Sequence, residues 1–278
     1  MEKGLRSAIN GTGFSFKKKF GQNFISDDSL LGRIVDGAGV DNSSTVIEIG
    51  CGAGTLTKAL SQKAKKVYGY EIDTSLKPVL SRTLAGVNNV EIIFKDFLRL
   101  RLDEIEKGLG EYLVVANLPY YITTPLIMLF VENSSKCKSL TVMVQEEVAN
   151  RLCAKANTPD YGAITASVAL RGECTVLERV GREMFTPSPN VDSAVVRIDL
   201  CEKRFEVEDE QLYKKVVKTA FAARRKTLVN NLMNGFSLSR AQAEELVLSL
   251  GLDLSVRGES LSPEQFAEIA NIMTNREE

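Results

Sequence analysis

Thr-Val-Ile-Glu-Ile-Gly-Cys-Gly-Ala-Gly-Thr-Leu, residues 45–56, decides the fold. Thr45 to Ile49 is a short β-branched run, and such runs read as strands. Gly50, Gly52 and Gly54 then turn the chain, and Leu56, Ala59 and Leu60 mark one face of a helix. Working outward, further strands are expected at 67–70, 90–94, 112–116, 140–144, 174–180 and 194–200. Helices are expected at 75–85, 124–132, 145–155 and 162–171, with Pro78 tolerated near a helix start. Before the quoted stretch, Ser26 reads as the N-cap of a helix carrying Leu30, Leu31, Ile34, Val35 and Ala38, and Gly39 stops it. Residues 20–24 read as an ordered arm rather than a strand.

Strands and helices alternating at this spacing mean βαβ units and a parallel sheet covered by helices on both faces. The class is α/β with a Rossmann-like sheet. The polar signals fall after the strands, and open α/β sheets bind ligands at the carboxyl ends of their strands. Gly50, Glu71, Asp96 and Asn117 are therefore expected on one edge of the sheet. The composition shifts at residues 201–204, and the remainder reads as helical. One helix begins near Asp209, a second runs from Ser239 to Leu250, and a third opens with the capping box Ser262-Pro263-Glu264-Gln265. The expected organisation is an α/β domain over 1–202, with residues 1–25 as a basic arm covering the ligand, and an all-helical domain over 203–278.

The chain of 278 residues contains no histidine and no tryptophan. Without imidazole, Ser-His-Asp and Cys-His catalysis are excluded, as is a histidine-ligated zinc or haem. Cys51, Cys137, Cys153, Cys174 and Cys201 are odd in number and widely spaced, which is neither a metal pattern nor a disulfide framework. No metal site is expected. No apolar run is long enough for a membrane span, and the first 20 residues lack the apolar core of a signal peptide. The expectation is a soluble, cytoplasmic protein, monomeric and without a membrane partner.

The net charge of −1 conceals a segregated distribution. Residues 1–20 carry an excess of four positive charges, with Lys17, Lys18 and Lys19 together. Residues 212–231 carry six basic residues and no acid, with Arg224, Arg225 and Lys226 together. The tail from Arg240 is acidic. Because salt screens charges beyond roughly 8–10 Å, local density decides polyanion binding. The two clusters are candidate contacts to a nucleic-acid backbone, or else solvated helix faces.

The glycine turn alone leaves several ligands open. Its spacing is Gly-x-Gly-x-Gly rather than the Gly-x-Gly-x-x-Gly of dinucleotide sites. A ligand without a pyrophosphate, such as S-adenosylmethionine, needs only close backbone approach. Glu71 at the next strand end suits a ribose diol, because a carboxylate accepts both hydroxyl protons. That suits NAD and S-adenosylmethionine equally. Asp96, at the third strand end, can accept from an adenine amino group.

Asn117-Leu118-Pro119-Tyr120 separates these readings. An adenine amine is a poor nucleophile because its lone pair is delocalised into the ring. Two carbonyls accepting its N–H groups favour a tetrahedral nitrogen and free that pair. Asn117 offers a side-chain acceptor and Leu118 a main-chain one. Pro119 stiffens the turn, and Tyr120 offers a face for an extruded base. A sulfonium is a good leaving group, so no strong base is needed. Phe185, in a loop held by two prolines, is a candidate second wall for the base.

The chain resembles the bacterial small-subunit ribosomal RNA adenine N6,N6-dimethyltransferases over nearly its whole length. The resemblance rests on Phe-Gly-Gln-Asn-Phe (20–24), Glu-Ile-Gly-Cys-Gly-Ala-Gly (48–54), Glu71, Lys-Asp-Phe (95–97), Asn-Leu-Pro-Tyr-Tyr (117–121), Gln-Glu-Glu-Val-Ala (145–149), Phe-Thr-Pro-Ser-Pro-Asn-Val-Asp-Ser-Ala (185–194) and Phe-Ala-Ala-Arg-Arg-Lys-Thr-Leu (221–228). It implies a Rossmann-like S-adenosylmethionine-dependent methyltransferase sheet. The implied cofactor positions are Asn23, Ile25, Gly50, Gly52, Glu71, Ile72, Asp96, Phe97 and Asn117. The implied target-base positions are Asn117, Leu118, Pro119, Tyr120 and Phe185. The implied RNA contacts are Lys17, Lys18, Lys19, Arg224, Arg225 and Lys226. The implied substrate is a pair of adjacent adenosines in the 3′-terminal hairpin of small-subunit rRNA, within an assembling 30S particle. The alternatives are a large-subunit rRNA adenine methyltransferase of the macrolide-resistance type, a non-catalytic assembly factor and, remotely, a nicotinamide oxidoreductase.

Overall fold

The computed structural model describes residues 9–17, 21–25 and 27–275. The chain forms two compact units. Residues 1–149 and 173–200 make one, and residues 150–172 with 201–278 make the other. In chain order the elements are β1 (Phe24–Ile25), α1 (Asp28–Gly37), β2 (Thr45–Ile49), α2 (Thr55–Ser61), β3 (Lys66–Glu71), α3 (Lys77–Thr83) and β4 (Val90–Phe94). Next come α4 (Leu102–Lys107), β5 (Tyr112–Asn117), α5 (Thr123–Asn133), β6 (Cys137–Gln145), α6 (Glu146–Leu152) and α7 (Ala163–Ala169). The remainder is β7 (Gly172–Val180), β8 (Phe185–Thr186), β9 (Ser193–Leu200), α8 (Glu210–Ala220), α9 (Leu228–Phe236), α10 (Arg240–Ser249) and α11 (Pro263–Thr274).

In the first unit the sheet order is β4-β3-β2-β5-β6-β9-β7. β4, β3, β2, β5 and β6 run parallel, as the alternation of strands and helices requires. β2 lies between β3 and β5, so the strand order reverses there, and that is where a crevice opens in such sheets. The expectation of an all-parallel sheet fails at β9. Ser193 pairs with Gln145 at the end of β6, so the chain enters beside a carboxyl end and runs back antiparallel. β2 is buried almost throughout, with Val46 and Ile47 fully enclosed, as a strand covered on both faces must be.

Two local expectations change. Residues Phe24 and Ile25 are a short strand, paired antiparallel with Thr186 and Phe185 of β8. The cap of α1 is Asp27, whose carboxylate accepts from the Leu30 amide at 2.8 Å; Ser26 lies outside the described residues.

The second unit has its own core of Tyr213, Val217, Leu232, Leu246, Phe266 and their neighbours. Tyr161, Ala166 and Leu170 are buried in that same core. The segment 150–172, read from sequence as part of the α/β domain, therefore packs with the C-terminal helices. Tyr213 donates its hydroxyl to the Ala166 carbonyl at 2.7 Å, which secures α7 to α8. Ser239 and Ser262 cap α10 and α11 with reciprocal capping boxes.

Gly69, in the middle of β3, connects the sheet to the glycine turn. A Cβ there would sit 2.6 Å from Cys51 Sγ and 2.7 Å from Ile92 Cδ1. Gly69→Val is expected to overpack this spot and cost about 1–3 kcal/mol. Gly108→Ala, where a Cβ meets open space, is expected to leave stability within about 0.5 kcal/mol. Urea unfolding of both variants checks the contrast.

Candidate active site

After β2 the backbone turns through Gly50, Gly52 and Gly54, at φ of +79°, +54° and +81°. Gly52 combines this left-handed conformation with a close approach. A Cβ on it would lie 2.7 Å from the Phe24 ring, so any side chain would unseat that ring. Phe24 belongs to a short arm, residues 21–25, laid over the strand ends. Side chains of Thr55 and Asn117 fasten its end. Thr55 donates its hydroxyl to the Ile25 carbonyl at 2.9 Å, and Asn117 Nδ2 donates to the Asn23 carbonyl at 2.9 Å.

Glu71, at the end of β3, is 6% exposed and held at both oxygens. Its Oε2 accepts from the Gly52 amide at 2.8 Å and its Oε1 from the Asp73 amide at 2.8 Å. Burial raises its carboxyl above the ordinary value, and these amides partly offset that. Each oxygen keeps a further lone pair, so the carboxylate can still take two hydroxyl protons. Asp73 anchors the arm. It accepts from Lys17 Nζ at 2.7 Å and from Gln22 Nε2 at 2.9 Å. Burial works against its charge, but the bonds from Lys17, Ser75 and Gln22 prevail and hold its carboxyl down at about 2.

Glu48 is the counterpart of Glu71 on β2. It is 1% exposed, lines the same cleft, and its Oε2 has no hydrogen-bond partner among the described residues. Burial pushes its carboxyl up to about 8, and the charge of Glu71 adds to the effect. A buried, unpartnered acceptor is costly unless a donor or cation arrives from outside the chain.

Asn117 ends β5, beside the glycine turn. The Gly50 Cβ position lies 3.8 Å from the Asn117 carbonyl oxygen and 3.8 Å from Pro119 Cδ. Because the Asn117 amide nitrogen is committed to the arm, its carboxamide oxygen is the end left for a ligand. Pro119's carbonyl accepts from the Ile122 amide at 3.0 Å, which fixes the turn into α5. The Tyr120 hydroxyl is bonded to Ser193 Oγ at 2.9 Å, which sets the ring's angle. Asp96 accepts from the Leu98 amide at 3.2 Å and pairs with Arg99 Nε at 3.2 Å. Phe97 packs edge-on against Tyr70, with ring centroids 4.8 Å apart.

The structure brings Asn23, Ile25, Gly50, Gly52, Glu71, Ile72, Asp96, Phe97, Asn117, Leu118, Pro119 and Tyr120 to the wall of one cleft of roughly 220 Å³. Phe185 is not among them. It is 4% exposed and packed in the core with Ile25 and Leu31, because β8 pairs with β1. The expected second wall for a base is therefore not its face in this structure.

The basic residues divide. Lys17 is clasped by Asp73 within the first unit, and Lys18 and Lys19 lie outside the described residues. In the helical unit Arg224 pairs with Glu259 at 3.2 Å and donates to the carbonyls of Pro159 and Tyr161. Arg224 thus holds the 150–172 segment. Arg225 and Lys226 are exposed, with no such ties among the described residues.

Sequence reasoning assigned no role to Glu48, Gln22 or Tyr121. Glu48 carried a signal, a lone acid inside an apolar strand. Tyr121, 61% exposed at the cleft, carried none beyond its place in the motif.

The donor set fits S-adenosylmethionine. Glu71 matches a ribose diol, the unpartnered Glu48 oxygen matches an ammonium, and the Gly50–Gly54 turn admits a ligand against the backbone. Residues 13–275 match the ribosomal RNA adenine dimethylase family. The chain is 43% identical over 272 residues to a ribosomal RNA small subunit methyltransferase A of Geobacillus thermodenitrificans, covering 94% of this chain and 92% of that protein. It is 43% identical over 274 residues to that of Bacillus licheniformis, covering 96% and 94%. A dimethyladenosine transferase from Plasmodium falciparum shares the fold, with a TM-score of 0.77 at 24% identity over 91% of this chain and 98% of that one. The 23S rRNA methyltransferase ErmE is similar at 26% identity and a TM-score of 0.70, over 90% and 98%. With that match spanning almost its whole length, the chain belongs to the ribosomal RNA adenine dimethylase family, whose members use S-adenosylmethionine.

Proposed function

We propose that this enzyme transfers methyl groups from S-adenosylmethionine to the N6 amines of two adjacent adenosines in the 3′-terminal hairpin of small-subunit rRNA. It acts as a cytoplasmic monomer on an assembling 30S particle. The observation that carries the reading is the fixed Asn117 carboxamide, with its nitrogen on the Asn23 carbonyl and its oxygen left for a substrate amine. Relatives named for the small subunit stand at 43% identity and ErmE at 26%, which favours the small-subunit substrate over the large.

Bound S-adenosylmethionine supplies a methyl group on a sulfonium, whose neutral thioether leaves readily. Glu71 would hold that cofactor's ribose hydroxyls, Asp96 would accept from its adenine amine, and Glu48 would take its ammonium. Phe24, seated on Gly52, keeps water from the glycine turn. Asn117 Oδ1 and the Leu118 carbonyl each accept one N–H of the target amine. Those two bonds localise the nitrogen lone pair toward the methyl group. The proton released afterwards leaves through the same acceptors to solvent, so no imidazole is needed. Tyr120, angled by Ser193, stacks on the base once it leaves its helix.

Two experiments test this reading. Asn117→Ala is expected to lower methyl incorporation into unmethylated small subunits at least 100-fold. Calorimetric S-adenosylmethionine affinity should change only a few-fold, through loosening of the arm. Unchanged incorporation would refute the role. In the helical unit, Arg225 and Lys226 are exposed cations available to phosphates. Replacing both with alanine is expected to lower the slope of log affinity against log salt by about 2. Filter binding across a salt series measures it, and an unchanged slope would make the pair bystanders.

A further inference from the structure

Two carbonyls that accept an exocyclic amine cannot tell adenine from cytosine, because both bases present two N–H groups there. Given the methyl-transfer reading above, on which this inference rests, the ring must be read elsewhere. A second groove adjoins the first cleft, and Gly21, Gln22, Asn23 and Tyr120 line both. Its far side is formed by Gln145 and the loop Pro187–Val191.

Most polar side chains along this groove are already engaged. Lys17 and Gln22 bind Asp73, Tyr120 binds Ser193, Asn23 donates to the Gly21 carbonyl, and Ser188 donates to the Arg182 carbonyl. Gln145 and Asn190 make no side-chain hydrogen bond among the described residues. Asn190 lies exposed on the loop. Gln145 is half-buried and held by the sheet. It is the last residue of β6, it pairs with Ser193 of β9, and the following amide, Glu146, bonds the Asp192 carbonyl at 3.1 Å. Directly paired residues on neighbouring strands project to the same face, with Cβ atoms about 4.5–5.5 Å apart. Gln145 thus stands beside the serine that angles Tyr120. An unengaged carboxamide on a rigid strand end, next to the stacking ring, is suited to reading a base edge.

We propose that Gln145 is a specificity-determining residue whose carboxamide N–H donates to N7 of the target adenine. Cytosine has a C–H at the equivalent place beside its amine, so this bond separates the two amino bases. The bond also fixes the ring on Tyr120 while Asn117 and Leu118 hold the amine.

The test couples a protein variant to a substrate analogue. Small subunits are rebuilt with a synthetic 3′ RNA strand carrying adenosine, 7-deazaadenosine or 1-deazaadenosine at the target position. Wild-type protein is expected to lose about tenfold in kcat/KM on the 7-deaza substrate. Gln145→Leu should lose a similar factor on adenosine, lose nothing further on 7-deazaadenosine, and bind S-adenosylmethionine as wild type does. On 1-deazaadenosine the two proteins should suffer equal penalties. Equal 7-deaza penalties for both proteins, or full activity of Gln145→Leu on adenosine, would overturn the assignment while leaving the methyltransferase reading intact. A wild-type protein inactive on adenosine itself would overturn both.

Discussion

The site depends on strand order. β2 is flanked by β3 on one side and β5 on the other, so the turns that leave β2 and β5 diverge from adjacent points. Gly50 and Asn117 meet there, with the Gly50 Cβ position 3.8 Å from the Asn117 carbonyl oxygen. Everything chemical follows from that adjacency. The glycine turn gives a ligand access to backbone, Glu71 arrives from the next strand on one side, and the Asn117–Tyr120 turn arrives from the other. A sheet with β2 and β5 separated would hold the same residues but could not bring the glycine turn and the Asn117 turn into one cleft.

The arm is the second requirement, and burial and polar ties together hold it. Residues 21–25 bury Phe24 and Ile25 in apolar clusters, and polar ties at Thr55, Asn117 and Asp73 fasten the rest. The Lys17–Asp73 pair extends that fastening to the start of the arm. A lysine that sequence alone places with the RNA contacts is thus tied to Asp73 inside the protein. Arg224 repeats the pattern in the helical unit, where its guanidinium serves three acceptors of its own unit. Basic clusters read from sequence thus mix cations that build the protein with cations that face solvent, and only hydrogen-bond partners separate them.

Much of the α/β unit was legible because its signals are local. A β-branched run, a glycine turn and an amphipathic stretch announce one another within a dozen residues, and each polar strand end falls where the motif lies. What escaped depends on distant pairing. Phe185 reads as a free aromatic in a proline loop, yet β8 pairs with β1, some 160 positions earlier in the chain, and that pairing buries the ring. Residues 150–172 look like one more helical crossover, yet Tyr161, Ala166 and Leu170 fill the core of the C-terminal helices. Antiparallel β9 is set by where the chain re-enters, which no periodicity records. Gln145 was visible as a motif residue, but its lack of a partner is a fact of three dimensions.

The decisive measurement is a crystal structure of the chain with S-adenosylmethionine bound. The ribose hydroxyls are expected on Glu71 and the sulfonium methyl aimed at the space between Asn117 Oδ1 and the Leu118 carbonyl. A cofactor seated with its methyl turned away from the Asn117–Tyr120 turn would contradict it.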